Sequence, residues 1–135
     1  MNNHGISIDV LGFQLFDKWL YNLRAGKRIA RFFEDNNYKK ISIYGMGLIG
    51  RQVYSELQES AIDVVCGIDQ RAKSIEVNSL KIVLPEEASS YPYVDAIVVT
   101  PIHHLLEIEE LLYRKGFCGD VISIEQVIEY VFKHE

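Results

Sequence analysis

Three glycines follow a β-branched run and precede a segment with helical periodicity: Gly45, Gly47 and Gly50. In such a strand-turn-helix, the first glycine permits the tight turn and the second lets the backbone approach a pyrophosphate. The third allows the helix to pack closely on the strand. Leu48 and Ile49 begin the helix, so its free N–H groups and positive dipole end would point at the same anion. The pattern predicts a nucleotide phosphate site.

A carboxylate lies at a suitable distance beyond the glycines. Asp69 ends the second β-branched run, 19 residues after Gly50, close to the ~20 typical of a carboxylate that accepts hydrogen bonds from an adenosine ribose. Its charge would repel a 2′-phosphate, which favours NAD over NADP. Arg71, two residues later, keeps NADP open. We therefore predict NAD as the cofactor, with NADP or another adenosine nucleotide as the alternative.

Polar residues also follow the fourth β-branched run. Thr100 ends that run, so its hydroxyl either touches the ligand or caps the following helix ahead of Pro101. His103 and His104 come next and would lie beside the same site, where a histidine can act as a general acid or base or bind a phosphate. The alternative is a pair of solvated residues at the start of a helix.

Residue spacing does not yield a complete catalytic centre. A short-chain dehydrogenase needs a tyrosine with a lysine four residues later, because the cation lowers the pKa of the phenol. None of the eight tyrosines has this partner; Tyr130 has Lys133 at three residues. A chain of 135 residues also leaves no room for a separate substrate domain. Hydride transfer by this chain alone is not expected.

Composition excludes several classes of partner. A net charge of −5 argues against binding to nucleic acid, which requires clustered cations. Cys66 and Cys118 lack CxxC spacing, which favours buried reduced thiols over a metal site. No apolar run approaches the ~18 residues of a membrane span, and the N-terminus lacks the basic start of a signal peptide. These features predict a cytoplasmic protein.

Five β-branched runs must position the candidate residues. Amphipathic segments separate the runs, a pattern typical of a parallel sheet with crossover helices. Right-handed crossovers favour the strand order 3-2-1-4-5, with the ligand crevice between strands 1 and 4 at their carboxyl ends. The predicted fold class is α/β, a doubly wound sheet of five parallel strands with an N-terminal helical extension. The runs cover residues 41–44, 62–69, 80–84, 95–100 and 120–124.

An apolar helical stripe and a second short helix precede the sheet. Either this extension packs on its own sheet, or the stripe is a surface for a homo-oligomer or another partner. The chain thus divides into a helical extension, residues 1–38, and a nucleotide-binding domain, residues 39–135. The stripe consists of Phe13, Phe16, Leu20 and Leu23, together with Trp19, and the second helix, over residues 26–35, directs Ile29, Phe32 and Phe33 inward.

Four stretches of the chain resemble a known group of domains: KKISIYGMGLIGRQVYSEL, VVCGIDQR, DAIVVTP and VISIEQVIE. They look like the small Rossmann-like domains of bacterial surface-polysaccharide biosynthesis proteins, where such domains are the nucleotide-binding part of nucleotide-sugar epimerase- or dehydratase-like proteins. The resemblance spans residues 16–129. It implies a NAD(P)- or nucleotide-sugar-type site at Gly45, Gly47, Gly50 and Asp69. The catalytic Tyr and Lys of the full epimerases and dehydratases have no counterpart here.

The residues and the resemblance together predict a nucleotide-binding domain that acts in polysaccharide or nucleotide-sugar metabolism without a complete active site. This would be an accessory or partial domain of an epimerase/dehydratase-like or glycosyltransferase-associated protein. Two alternatives remain open. One is a stand-alone enzyme on NDP-sugars that uses His103 or His104. The other is a protein-interaction module with the same fold that binds no nucleotide.

Overall fold

The computed structural model describes residues 8–90 and 93–134 and contains the predicted sheet. Its strands are β1 (Lys40–Tyr44), β2 (Asp63–Ile68), β3 (Ile82–Val83), β4 (Ala96–Val99) and β5 (Asp120–Ser123). All neighbouring strands pair in parallel, in the order β3-β2-β1-β4-β5. The predicted α/β class, strand order and Rossmann-like architecture are therefore confirmed.

Five α-helices flank this sheet within the described residues. They are α1 (Ile8–Arg24), α2 (Ala30–Asp35), α3 (Leu48–Leu57), α4 (Leu105–Arg114) and α5 (Ile124–Lys133). Over residues 8–90 and 93–134, every helix is too short or too polar to cross a bilayer. β3 is shorter than the predicted run because Leu80 forms an isolated antiparallel bridge with Val77 and Pro85 begins a 3₁₀ segment.

The two faces of the sheet are covered unequally. Alternate side chains of β1 point to opposite faces: Ile41 and Ile43 join the core formed with α1, α2, α3 and α5. Tyr44 joins a smaller core with Ile108 and Leu112 of α4. All four residues of β4 are buried, as expected of a central strand covered on both faces. α4 is thus the α-helix that packs on the second face.

The buried face of α1 differs from the predicted stripe. Leu15 and Trp19 are only 8% and 4% exposed, whereas Phe13 is 74% and Leu20 51% exposed. α1 packs against α5, and the Trp19 indole N–H donates to Glu56 of α3 at 2.8 Å. Trp19 therefore packs inward, Phe16 and Leu23 pack inward in part, and Phe13 and Leu20 do not. The face that is buried is the one on which the indole N–H finds an acceptor.

The inward residues of α2 agree with the prediction, but the helix is shorter than predicted, Ala30–Asp35 in place of residues 26–35. Ile29, Phe32 and Phe33 are all buried, and the backbone N–H of Ile29 donates to Oε2 of Glu56 at 2.6 Å. The Glu56 carboxylate thus accepts hydrogen bonds from both parts of the helical extension. The structure places this extension beside the sheet, in the same core as β1.

The two cysteines are free thiols in different environments. Cys66 is buried in β2, and burial raises the pKa of its thiol. Cys118 is exposed in the turn between α4 and β5. The expectation of burial is wrong for Cys118, because this connection runs over the protein surface.

Candidate functional site

Three strand ends meet at the carboxyl edge of the sheet. Tyr44, the last residue of β1, is in register with the last residue of β2 and the last residue of β4. The residues that come next, Gly45, Asp69 and Thr100, are therefore brought together, although they lie far apart in the sequence. Connections from β1 and β4 run to opposite faces, to α3 and α4. A switch point of this kind is where open α/β sheets bind their ligands.

A cleft of about 500 Å³ opens at this edge. The turns after β1, β2 and β4 form its base and sides, and one face of α4 closes it. Its volume lies in the range of sites for small molecules. Among the residues that line it are Gly45, Asp69, Gln70, Arg71, Pro101 and His104.

Two of the three glycines are required by the chain's own packing. Gly45 has φ +94°, and a Cβ atom there would lie 2.5 Å from the Thr100 hydroxyl oxygen. A Cβ atom at Gly50 would overlap the carbonyl oxygen of Gly45. The tight turn and the close helix packing proposed for the first and third glycines are both present. Because these needs are internal, neither glycine by itself indicates a ligand.

Gly47 is different, since no neighbouring atom requires it to lack a side chain. Its backbone is extended (φ −77°, ψ −152°), and a Cβ atom there would have nothing within 4 Å. It is the N-cap residue of α3 and gives that helix no side-chain cap. Leu48, at the first helical position, is 77% exposed, while Ile49 packs against the core. The first turn of α3 therefore presents backbone N–H groups to open space.

The Asp69 carboxylate makes hydrogen bonds mainly within the protein. Its Oδ2 accepts from the Met46 backbone N–H and its Oδ1 from the Arg71 backbone N–H, each at 2.8 Å. The side chain is only 11% exposed. A carboxylate has about four acceptor positions, so these bonds occupy about half of them. Asp69 holds the glycine turn in place and keeps limited capacity for a ribose.

Arg71 lies at the rim of the cleft. Its side chain is 74% exposed, and its Nε is 3.8 Å from Oδ1 of Asp69. At this distance the contact is an ion pair in solvent, which contributes little to stability. The guanidinium is thus placed where an anionic ligand can meet it.

Thr100 links the ends of β1 and β4 through its hydroxyl and is not directed into the cleft. Its hydroxyl lies 2.8 Å from the carbonyl oxygen of Gly45 and 3.1 Å from that of Tyr44, and can donate to either. The residue is 4% exposed. It does not cap the next helix, because four residues separate it from Leu105, where α4 begins, and His104 is the N-cap residue. The helix-cap prediction for Thr100 is therefore wrong.

The two histidines occupy different positions. His104 lines the cleft, and its Nδ1 is 3.2 Å from Oε1 of Glu107. His103 is also exposed and packs against His104, with ring centroids 4.2 Å apart, but it does not line the cleft. Among the described residues, no group of three or more metal-ligating side chains is close enough together to hold a metal ion.

Sequence reasoning missed Tyr44 and Gln70, which also line the cleft. Burial, and then the nearby charge of Asp69, raise the pKa of Tyr44, while a hydrogen bond with Gln70 opposes this shift. The signal was present in the strand alternation: Tyr44 is two residues beyond Ser42, on the face opposite Ile43. The phenol is therefore held neutral as a hydrogen-bonding group beside the cleft.

Comparison with known proteins adds one family match. A family model described as C2185-like, N-terminal matches residues 37–122, well over half of the chain. The matched region contains every residue that lines the cleft, whereas α1 and α2 lie outside it. Comparison with curated protein sequences gives no match.

Proposed function

This chain belongs to the C2185-like N-terminal family, and we propose that it binds a nucleotide of the NAD(P) or nucleotide-sugar type in the cleft. The observation that carries the proposal is the open space at Gly47. Internal packing explains the other two turn glycines but not Gly47, which is the position where the glycine pattern places a pyrophosphate. Gly47 does not itself line the cleft, but it lies in the same turn as Gly45, which does.

The arrangement of charges and donors supports an anionic ligand. Phosphate oxygens would accept from the N–H groups of Leu48 and Ile49 at the start of α3, where the helix dipole is positive. The sugar attached to the phosphate would lie toward Asp69, whose remaining acceptor positions suit a hydroxyl. Arg71 would meet a further phosphate or an aromatic base. NAD, NADP and nucleotide-sugars all offer this combination.

The residues around the cleft support a role in binding without catalysis. Tyr44 is neutral and buried, Thr100 is engaged with backbone carbonyls, and Asp69 is held by two backbone N–H groups. Asp69 and Thr100 therefore position the turn. The domain would serve as the nucleotide-binding part of a protein of cytoplasmic polysaccharide or nucleotide-sugar metabolism, which is the role implied by its resemblance to such domains.

One observation favours a second candidate function. The His104–Glu107 pair, 3.2 Å apart beside the cleft, could exchange a proton with a bound ligand. A stand-alone enzyme acting on NDP-sugars would lose its turnover in a His104→Ala variant. The matched control is His103→Ala, because His103 is a neighbouring histidine that does not line the cleft.

Calorimetric titration with NAD, NADP, UDP-sugars and coenzyme A tests the main proposal. At least one of them should bind with a dissociation constant below about 1 mM. Gly47→Ala should weaken that binding about tenfold or more, equivalent to about 1.4 kcal/mol, because its methyl group projects into the ligand space.

Gly12→Ala provides the control for this substitution. A Cβ atom at Gly12 also meets nothing within 4 Å, and α1 contributes no residue to the cleft. Equal binding by wild type and Gly47→Ala would contradict the assigned phosphate position. The absence of binding by every ligand would overturn the nucleotide proposal and leave the interaction module.

A further inference from the structure

α1 has a second apolar face that the described part of the chain covers only in part. Its inner face, with Leu15 and Trp19, is buried against the domain. Beside it lies a second apolar row, Phe13, Phe16, Leu20 and Leu23, which we call the outer stripe; Phe13 and Leu20 are exposed, whereas Phe16 and Leu23 also pack partly against the core. A helix at a protein surface normally has a single apolar side, directed at the core. The second apolar side of α1 therefore needs a separate explanation.

A groove of about 560 Å³ runs between the outer stripe and α3. Phe16, Leu20 and Leu23 form one wall, and Leu48 lies on the other wall. Leu48 is 77% exposed although it is a large apolar residue. An exposed helix position next to another apolar side chain is typical of a surface that another protein covers.

The carboxylate in the middle of this groove, that of Glu56, already accepts hydrogen bonds from the Trp19 indole N–H and the Ile29 backbone N–H. Between Leu48 and the end of α3 the wall presents the uncharged Gln52 and Ser55, while Arg28 and Glu59 lie toward the other end. Apart from the paired Glu56, the charged groups lie toward the rim, as they do in protein interfaces.

The spacing of the outer stripe fits a helix-to-helix contact. Phe13, Phe16, Leu20 and Leu23 repeat at intervals of three, four and three residues, which is the seam of a coiled coil. We propose that a second copy of this chain covers the stripe, with the two α1 helices antiparallel in a symmetric dimer. In this register each phenylalanine faces a leucine: Phe13 faces Leu23 of the second copy, and Phe16 faces Leu20.

The exposed area is sufficient for such a dimer. Taking roughly 200 Å² for a fully exposed large apolar side chain, Phe13, Leu20 and Leu48 together expose about 400 Å² in each copy. Interfaces are about 60% apolar, so this corresponds to about 1,300 Å² of total buried area, within the ~1,200–2,000 Å² of stable complexes. The α3 helices would lie outside the two α1 helices, with each Leu48 against the α1 of the other copy.

Sedimentation velocity measurements test the dimer directly. Wild-type protein should change from monomer to dimer between about 1 and 300 µM, a range that brackets a micromolar dissociation constant. Leu20→Glu should remain a monomer throughout, because dimerisation would bury two carboxylates on the seam. Leu106→Glu should dimerise like wild type, since Leu106 is 73% exposed on α4, away from the groove. Circular dichroism checks that both variants fold.

Two results would overturn the dimer. One is a wild-type protein that stays monomeric at every concentration. The other is a folded Leu20→Glu variant that dimerises as well as Leu106→Glu does. Neither result decides nucleotide binding, which is measured separately by calorimetry, although Leu48 contributes its side chain to the groove and its backbone N–H to the proposed phosphate site.

Disulfide cross-linking tests the antiparallel register. In a Cys118→Ser background, Phe13→Cys and Leu23→Cys proteins should form a mixed dimer when oxidised together. Neither variant should cross-link with itself, because like positions would lie about 15 Å apart along the helix axis at 1.5 Å per residue. Rapid self-cross-linking of Phe13→Cys would indicate parallel helices and overturn the arrangement, as would the absence of any mixed cross-link.

Discussion

The carboxylate of Asp69 accepts a hydrogen bond from the backbone N–H of Met46 at 2.8 Å. Through this bond the turn after β2 holds the glycine turn after β1. The second carboxylate oxygen accepts the backbone N–H of Arg71 at 2.8 Å, so Asp69 also organises its own turn. Asp69, whose position in the sequence suggests ribose binding, thus also stabilises the two turns.

Asp69→Asn should destabilise the protein. An amide offers one carbonyl oxygen where the carboxylate offers two, so one of the two backbone N–H groups must face another donor. We expect the free energy of unfolding to fall by about 1–3 kcal/mol, the cost of a buried unpaired polar group. Urea denaturation measures the change. Asp63→Asn, at the exposed start of the same strand, should have little effect, and equal losses in the two variants would contradict the bridging role.

The glycines of the turn should respond differently to alanine. Gly50→Ala places a methyl group on the carbonyl oxygen of Gly45, and backbone must move to relieve the overlap. We expect a loss of about 1–3 kcal/mol of unfolding free energy or more. Gly47→Ala meets open space and should leave stability within about 0.5 kcal/mol. The same urea experiment compares the two, and a fully stable Gly50→Ala protein would show that the turn adapts.

Glu56→Ala should loosen the helical extension. The Glu56 carboxylate accepts the Trp19 indole N–H at 2.8 Å and the Ile29 backbone N–H at 2.6 Å. Removing it leaves two donors without an acceptor, so we expect a loss of about 2–4 kcal/mol of unfolding free energy. Trp19 is the only tryptophan, and its fluorescence should shift to longer wavelength as water reaches the ring. Glu59→Ala, one helical turn away and exposed, is the control; unchanged Trp19 emission in Glu56→Ala would refute the role.

Stability should fall at alkaline pH in a way that depends on Tyr38. Burial, and then its hydrogen bond to Asp120 at 2.6 Å, raise the pKa of Tyr38 from 10.0 to about 12. The folded state therefore retains the phenolic proton longer than the unfolded state does. The resulting stabilisation is complete below pH 10 and disappears as the pH rises from about 10 to about 12.

Tyr38→Phe should remove this contribution. Urea midpoints measured at pH 8 and at several values between 10 and 12 should then fall less steeply than those of wild type. Because other tyrosines also titrate in this range, Tyr21→Phe serves as a reference: Tyr21 is 57% exposed. If the slopes of Tyr38→Phe and Tyr21→Phe coincide, Tyr38 does not retain its proton as expected.

The sheet and the place of the site could be predicted because local signals agreed. Five β-branched runs separated by amphipathic segments determine a parallel sheet, and Gly45 and Asp69 each follow a strand directly. Strand register then brings these two residues together at Tyr44. Strand ends were less predictable, since Pro85 and the bridge at Leu80 shorten β3 through contacts that a propensity scale does not contain.

The roles of individual side chains could not be predicted from the sequence, because they depend on contacts between residues far apart in the chain. Thr100 ends a strand, and only the loop geometry decides whether its hydroxyl meets a ligand or the carbonyl oxygen of Gly45. For α1, periodicity predicted a single apolar stripe, whereas the structure buries Leu15 and Trp19 and leaves Phe13 and Leu20 exposed. The position of Glu56 on α3 selects the face with Trp19 by accepting its indole N–H, and a helical period alone does not contain that information.

The bond between Asp69 and Met46 has a kinetic consequence. The bond fixes the conformation of the glycine turn when the protein folds. The turn therefore loses little further conformational entropy when a ligand binds, because it is already in its binding conformation. Association then needs no rearrangement step. In a stopped-flow experiment the observed rate should rise in proportion to ligand concentration without a plateau, and the Asp69→Asn protein should show the saturation typical of a slow conformational change.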